Sequence, residues 1–300
     1  MQPIRIDIEG AAAVSATWFE AQVPAEGSRI GRERAVVVVA PALSTPQAFY
    51  AGFCRWLAAQ GHDVLSFDYR GIESGSAAQA RASGIDMETW LRVDVSVAID
   101  EARRRAGGRP LLYVGHSLGG MALGATPGAA RVDRAITIAS GSGYPGLNPR
   151  SGRQLWLLGR VAMPLYTRLF GYFPGAPIRK VGNLPRGVAL QWSGWLRRRG
   201  YWFDDPAYDM RERFASVRCP LLALSFSDDK AIQQPAVDDL HARYVATTVR
   251  RVHLAPAQAG LARIGHMGFF RRDAAALWPA ALRWLEAGEW RLETPAAATP

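Results

Sequence analysis

The feature that most constrains this chain is the hexapeptide Gly115-His116-Ser117-Leu118-Gly119-Gly120, which follows an apolar run at 111–114. The run predicts a buried strand, and a helix of small residues is predicted to begin near Leu118. A strand that turns this sharply into a helix leaves no room for side chains two residues on either side of the serine, which explains the glycines. We therefore expect an exposed, nucleophilic Ser117. The alternative is a glycine-rich turn in which Ser117 only caps the helix.

Runs that are apolar on both faces alternate with helical stretches along the chain. The run 35–40 is largely β-branched, which is typical of a strand buried between two helical layers. Further strands are predicted at 4–8, 14–19, 64–67, 111–114, 135–139, 221–226 and 248–254, helices at 46–59 and 87–105, and a loop at 68–84. This order predicts an α/β fold with a mostly parallel eight-stranded sheet and helices on both faces.

The alternation of strands and helices stops between 141 and 213. This segment has 12 Lys and Arg against 4 Asp and Glu, a net charge of +8, and it contains several tryptophans and prolines. We predict a helical lid at 141–213 with short helices at 153–169 and 187–196, a core at 1–140 and 214–290, and a disordered tail at 291–300. Trp192 and Trp195 are expected to bind an apolar acyl group, and the arginines to attract an anionic part of the substrate.

A nucleophilic serine needs a histidine as base and an acid that orients the histidine, in the chain order serine, acid, histidine. Asp228 and Asp229 follow the predicted strand at 221–226, at the edge where sites of parallel sheets form. His266 lies in a glycine-flanked loop before the last helix. We predict His266 as the base and prefer Asp229 over Asp228 as the acid. Asp228 is then expected to cap the turn through its backbone amides.

The negative charge that develops during acyl transfer needs hydrogen-bond donors. One is expected to be the backbone amide of Leu118, directly after the nucleophile. The second is expected from the loop that follows the strand at 35–40, and the amide of Leu43 is the candidate. The alternative for Leu43 is a plain turn with its side chain in the core.

Composition excludes several other classes of protein. The net charge is +10, but arginine supplies nearly all the basic charge and the spacing of nucleic-acid motifs is absent, so no nucleic-acid partner is predicted. Two cysteines exclude a disulfide framework. With neither a phosphate-binding loop nor clustered histidines, neither cofactor nor metal is predicted. The apolar runs are too short for a membrane span, and the N-terminus does not resemble a secretion signal, so a cytoplasmic location is expected.

Several segments together resemble the α/β-hydrolase-fold serine hydrolases. More narrowly, the chain is similar to a bacterial group of predicted α/β-hydrolases described as lysophospholipase-like or serine-aminopeptidase-like. The segments are Pro41-Ala42 with Pro46-Gln47, Asp68-Tyr69-Arg70-Gly71-Ile72, the hexapeptide at 115–120, Gln191-Trp192 with Trp195, 223–229, and 264–270. The resemblance implies Ser117 as nucleophile, Asp229 as acid and His266 as base. Many members of the group have glycine where Ser44 stands, which predicts a differently shaped loop here.

These observations predict a serine hydrolase that cleaves a small-molecule ester or thioester, with an anionic substrate favoured, through an acyl-enzyme on Ser117. One alternative is an acyltransferase that uses the same three residues. Another is a catalytically silent binding protein of the same fold, because fold alone does not imply activity.

Overall fold

An eight-stranded sheet forms the centre of the computed structural model, which describes residues 1–22, 34–178 and 181–292. The sheet contains β1 (Gln2–Ile8), β2 (Ala11–Phe19), β3 (Val36–Ala40), β4 (Asp63–Phe67), β5 (Leu111–His116), β6 (Arg134–Ile138), β9 (Leu221–Phe226) and β10 (Val249–Leu254), and a separate two-stranded pair is formed by β7 (Tyr172–Phe173) and β8 (Leu184–Pro185). The sheet order is β1-β2-β4-β3-β5-β6-β9-β10. Strand β2 is antiparallel to both its neighbours, and the other pairs are parallel. The predicted mostly parallel eight-stranded sheet is confirmed.

Helices cover both faces of this sheet. They are α1 (Ala51–Ala59), α2 (Ala77–Ala82), α3 (Met87–Thr89), α4 (Val95–Ala106), α5 (Leu118–Ala125), α6 (Gly152–Leu157), α7 (Met163–Phe170), α8 (Arg186–Leu196), α9 (Met210–Ser216), α10 (Gln234–His241) and α11 (Trp278–Ala287). One π-helical turn, Trp90–Asp94, joins α3 to α4, and another, Leu158–Ala162, joins α6 to α7. The predicted helices at 87–105 and 153–169 therefore each form one continuous helical segment.

Strand β3 shows why the sheet is buried on both faces. All its residues are buried, and successive side chains point to opposite faces. Val36 and Val38 join the hydrophobic core with α4 and α5, whereas Val37 and Val39 join the core with α1 and α11. One short apolar strand therefore contributes side chains to the hydrophobic cores on both faces of the sheet.

Two parts of the chain differ from the sequence prediction. The segment 68–84 is not only a loop, because its alanines form α2, which Ser76 caps by accepting a hydrogen bond from the Gln79 amide at 3.2 Å. The segment 141–213 contains a buried pair of antiparallel strands, β7 and β8, each too short to show a strand periodicity in the sequence. The disordered tail was predicted at 291–300, and residues 293–300 of it lie outside the described ranges. No helix in those ranges is both long and apolar enough to span a bilayer.

The segment 141–213, which we call the cap, is attached at two opposite sides of the carboxyl edge of the sheet. At one side, the Arg150 guanidinium donates to the Ser227 carbonyl at 2.8 Å. At the other side, the Gly182 amide donates to Ser44 Oγ, also at 2.8 Å. The cap therefore contacts the loops that follow both β9 and β3.

Candidate active site

Ser117 lies at a strained turn between β5 and α5. Its backbone has φ 51° and ψ −113°, a conformation that residues other than glycine rarely adopt. The neighbouring glycines allow the chain to close tightly around it. A Cβ on Gly120 would lie 2.0 Å from Ser140 Oγ, and a Cβ on Gly115 would lie 2.5 Å from the Gly120 Cα. The tight packing holds the serine in this conformation at the start of a helix.

Three side chains from distant parts of the sequence meet at this turn. His266 Nε2 lies 3.1 Å from Ser117 Oγ, and His266 Nδ1 lies 2.8 Å from Asp229 Oδ2. Because a carboxylate can only accept, Nδ1 carries the proton, and the lone pair of Nε2 faces the serine hydroxyl. Asp229 is 1% exposed and the His266 side chain 21% exposed. The structure thus brings together the serine, acid and histidine that the sequence singled out.

The two neighbouring aspartates, Asp228 and Asp229, make different hydrogen bonds from those predicted. The second oxygen of Asp229, Oδ1, accepts the amides of Ala231 at 2.7 Å and Ile232 at 3.1 Å, so Asp229 caps its own turn. Asp228 instead accepts the amides of Ile264 and Gly265, both at 2.9 Å. The expectation that Asp228 caps the turn is therefore wrong. Asp228 fixes the loop that presents the histidine.

The start of α5 packs directly on the loop after β3. A Cβ on Gly119 would lie 2.2 Å from the Ala40 carbonyl oxygen, so only glycine fits at this contact. Leu118 and Leu43 lie on the two sides of the contact, and within the described ranges neither amide donates to another residue. Leu43 itself is half-buried against the core. Both predicted donors are therefore available where the helix and loop approach each other.

Comparison with known proteins agrees with this architecture. Residues 31–171 match the family described as serine aminopeptidase, S33. The chain is similar to a soluble variant of monoglyceride lipase from Saccharomyces cerevisiae in complex with a substrate analog, with 13% identity, a TM-score of 0.62 and coverage of 96% of each chain. It is also similar to α/β hydrolase domain-containing protein 10 from mouse, with 16% identity, a TM-score of 0.56 and coverage of 94% of this chain and 97% of that one. The protein has the α/β-hydrolase fold.

A further similar structure is that of the metagenome-derived lipolytic enzymes LipS and LipT. It has 15% identity and a TM-score of 0.56, and the match covers 90% of this chain and 96% of that one. A search of curated proteins found no match. At these identities the likeness establishes the α/β-hydrolase fold, and the chemistry has to be argued from the site.

The site also contains a buried hydrogen-bond relay that was not predicted from the sequence. The Ala42 amide donates to the Tyr50 hydroxyl, which lies 2.8 Å from His116 Nδ1, and His116 Nε2 lies 2.9 Å from the His266 carbonyl. Burial and the neighbouring His266 lower the pKa of His116 to about 3, so the ring is neutral. Because a carbonyl only accepts, Nε2 carries the proton and Tyr50 donates to Nδ1. The relay connects the loop after β3, the turn between β5 and α5, and the loop that contains His266.

The segment 68–72 follows β4 and was noted in the sequence only because it resembles the family. Its side chains also hold the loop after β3. Asp68 accepts the Gln47 amide at 2.7 Å and the Gln47 side-chain amide at 2.8 Å. The Tyr69 hydroxyl donates to the Pro41 carbonyl at 3.2 Å. The sequence signal that could have indicated these contacts is the presence of polar residues directly after a buried strand, because buried polar groups need hydrogen-bond partners.

The tryptophans predicted to bind substrate occupy different positions. Trp195 is fully buried, and its indole nitrogen donates to Asp205 at 2.8 Å. Its ring packs edge to face on Tyr201 and Trp202. Trp195 thus packs the interior of the cap, and this position does not fit the expected contact with substrate. Trp192 is half-buried against the core and stays a candidate.

Proposed function

We propose that this protein is a serine hydrolase that cleaves carboxylic esters or thioesters through an acyl-enzyme on Ser117. The observation that carries the proposal is the continuous chain of contacts from Asp229 through His266 to Ser117, with distances of 2.8 and 3.1 Å. Such a chain lets an otherwise inert hydroxyl act as a nucleophile.

In the first half of the reaction, Ser117 Oγ attacks the substrate carbonyl carbon while His266 Nε2 takes the hydroxyl proton. The carbonyl oxygen becomes an oxyanion that the amides of Leu118 and Leu43 stabilise. The bond to the leaving alcohol or thiol then breaks, and His266 returns the proton to that group. Asp229 stabilises the imidazolium that exists in between.

In the second half, a water molecule attacks the acyl carbonyl and gives its proton to His266. The tetrahedral intermediate collapses, the bond to Ser117 Oγ breaks, and His266 returns the proton to the serine. The free acid leaves and the site is restored without a cofactor.

Ester chemistry is favoured over the aminopeptidase activity in the family's description. A free amino terminus would need a carboxylate to bind it, yet the sequence contains no Asp or Glu from 134 to 203, which includes most of the cap. Two of the similar structures are of a monoglyceride lipase and of lipolytic enzymes, whose names refer to ester substrates. An anionic ester is the preferred substrate, because the cap is strongly basic.

Labelling with a fluorophosphonate probe tests the nucleophile. We expect labelling of the native protein that is lost in Ser117→Ala and His266→Ala, while Ser216→Ala, a matched change at an exposed serine, is labelled normally. A folded native protein that is not labelled would contradict the proposal and favour the silent binding protein. Turnover of an activated ester with an added alcohol then separates hydrolysis from acyl transfer.

Replacing each aspartate separately tests the acid. Asp229→Asn should lower kcat by about a thousand-fold or more, because the imidazole loses its orienting carboxylate. Asp228→Asn should lower kcat by only about ten-fold, because it weakens the loop and leaves the three side chains in place. A larger effect of Asp228→Asn would reverse the assignment.

A further inference from the structure

The helical segment of the cap formed by α6, the π-helical turn 158–162 and α7 carries a set of large apolar side chains that are substantially exposed in the described structure. Each is between 41% and 68% exposed. The residues are Trp156, Leu157, Val161, Leu165, Tyr166, Leu169 and Phe170, and we call them the cap face. Elsewhere in the described ranges, the large hydrophobic side chains with comparable exposure are Met1 and Val245.

Most of the buried positions on the inward side of the same helical segment hold small residues. Gly152, Gly159 and Thr167 are buried there. A Cβ on Gly159 would lie 2.7 Å from the Leu196 Cβ, so α8 is too close for a larger side chain. Met163 is also buried and Leu158 is partly buried against the core, but most large apolar side chains of the segment are exposed, whereas the usual amphipathic pattern buries them. An apolar surface of this kind on a folded protein marks a site of interaction.

Arginines that form no ion pair with described carboxylates lie on the same helical segment as the cap face. Arg153, Arg160 and Arg168 are exposed on the same segment, and none of them pairs with a carboxylate of the described residues. The Arg160 guanidinium lies over the Trp156 ring, 5.9 Å from its centre. No Asp or Glu occurs from 134 to 203 that could neutralise them. The partner of this face is therefore apolar and negatively charged.

We propose that the cap face docks on an anionic lipid surface, independently of the catalytic proposal. Leucine and aromatic side chains enter the boundary between headgroups and acyl chains, and the arginines meet lipid phosphates. A second copy of the chain is a poorer partner. A symmetric contact would place the same patch against itself, which would bring two sets of unpaired arginines together.

Co-sedimentation of the full chain with vesicles tests the proposal. We expect binding to phosphatidylcholine vesicles in which phosphatidylglycerol replaces a third of the lipid, weakened by added salt, and little binding to phosphatidylcholine alone. Leu165→Ser with Leu169→Ser should lower the partition coefficient by at least about ten-fold. Arg160→Gln with Arg168→Gln should lower it by about five-fold for each arginine. Val245→Ser, which changes an even more exposed apolar residue outside the cap face, should not change the partition coefficient.

Fluorescence places the contact on the cap face. Trp156 is the half-exposed tryptophan of that face, so its emission should shift to shorter wavelength when anionic vesicles are added, and Trp156→Phe should remove the shift. Equal binding to both kinds of vesicle, or binding that survives the double leucine substitution, would overturn the proposal. So would a lipid-free dimer that the same double substitution abolishes, because the face would then belong to a second copy of the chain.

Discussion

Two serines at the site hold a backbone conformation that favours glycine. Ser117 has φ 51° and Ser44 has φ 52°. Ser44 stands where the resemblance predicted a differently shaped loop, and its Oγ accepts the Gly182 amide of the cap at 2.8 Å. The hydrogen bond to the cap offsets the cost of the left-handed conformation, so Ser44 is a residue at which the cap and the loop after β3 stabilise each other.

Substitutions at Ser44 separate the two contributions. Ser44→Ala loses the hydrogen bond and keeps the strain, and should lower the free energy of unfolding by about 1 kcal/mol. Ser44→Gly loses the bond but relieves a strain of about 1 kcal/mol, so its stability should stay close to that of the native protein. Urea unfolding of the three proteins measures the difference. Equal losses for the two variants would show that the φ angle carries no strain.

Removal of one hydroxyl tests the relay through His116. In Tyr50→Phe the ring packing stays, but the Ala42 amide and His116 Nδ1 both lose their partner. Because Ala42 precedes the proposed oxyanion donor Leu43, we expect kcat to fall by about ten-fold or more with little change in KM. Kinetics with an activated ester measure both constants. A change confined to KM, or none, would mean that the relay only supports the fold.

At the scale of elements, the site depends on how closely α5 approaches the loop after β3. The glycine at 119 permits this approach, since any side chain there would meet the Ala40 carbonyl. The contact sets the separation between the Leu118 and Leu43 amides, and hence their fit to one oxyanion.

Gly119→Ala should therefore separate the helix from the loop. A Cβ placed 2.2 Å from the Ala40 oxygen forces the backbone to move, so we expect kcat/KM to fall by about a hundred-fold or more. Gly52→Ala is the matched control, because Gly52 lies in α1 with open space around its Cβ position. That variant should keep full activity and gain up to about 1 kcal/mol of stability. Full activity in Gly119→Ala would refute the importance of the close approach.

Sequence alone predicted the elements whose signal is local. The runs that form β3, β5 and β9 are mostly apolar. The glycines at 115–120 indicate a tight turn, because its steric requirements depend on neighbouring residues in the sequence. The position of Asp229 relative to His266 followed from strand order. Tyr50 and His116 could not be found in this way, because their relay joins residues 66 and 150 positions apart and exists only after the sheet has formed. The short β7 and β8 are likewise fixed by tertiary packing rather than by pattern.

At the scale of the whole molecule, neutral histidines are buried in both structural layers around the sheet. His116 belongs to the relay at the site. His241 lies on α10, where its Nε2 accepts from the Thr137 hydroxyl at 2.8 Å and its Nδ1 donates to the Val237 carbonyl at 2.7 Å. Burial lowers the pKa of His241 from 6.5 to about 4. In each ring one nitrogen donates and the other accepts a hydrogen bond, so adding a proton would break the bond at the accepting nitrogen. The folded protein therefore resists protonation of histidines that the unfolded chain protonates readily.

This exclusion predicts a loss of stability in acid. Above pH 6.5 both rings are neutral whether the chain is folded or not, so they add no pH dependence. As the pH falls from 6.5 to about 4, the unfolded chain binds a proton at each histidine and the folded protein does not. Each ring then lowers the free energy of unfolding by about 1.4 kcal/mol per pH unit.

His241→Gln isolates one of these contributions, because glutamine does not titrate in this range. We expect the variant to be less stable than the native protein near neutral pH, since one buried hydrogen bond is lost. Its slope of unfolding free energy against pH should be shallower by about one proton, or about 1.4 kcal/mol per pH unit. Urea unfolding at several values between pH 4 and 6.5 measures both slopes. Parallel slopes would mean that His241 takes up its proton in the folded protein as readily as in the unfolded chain, so that its burial does not oppose charge.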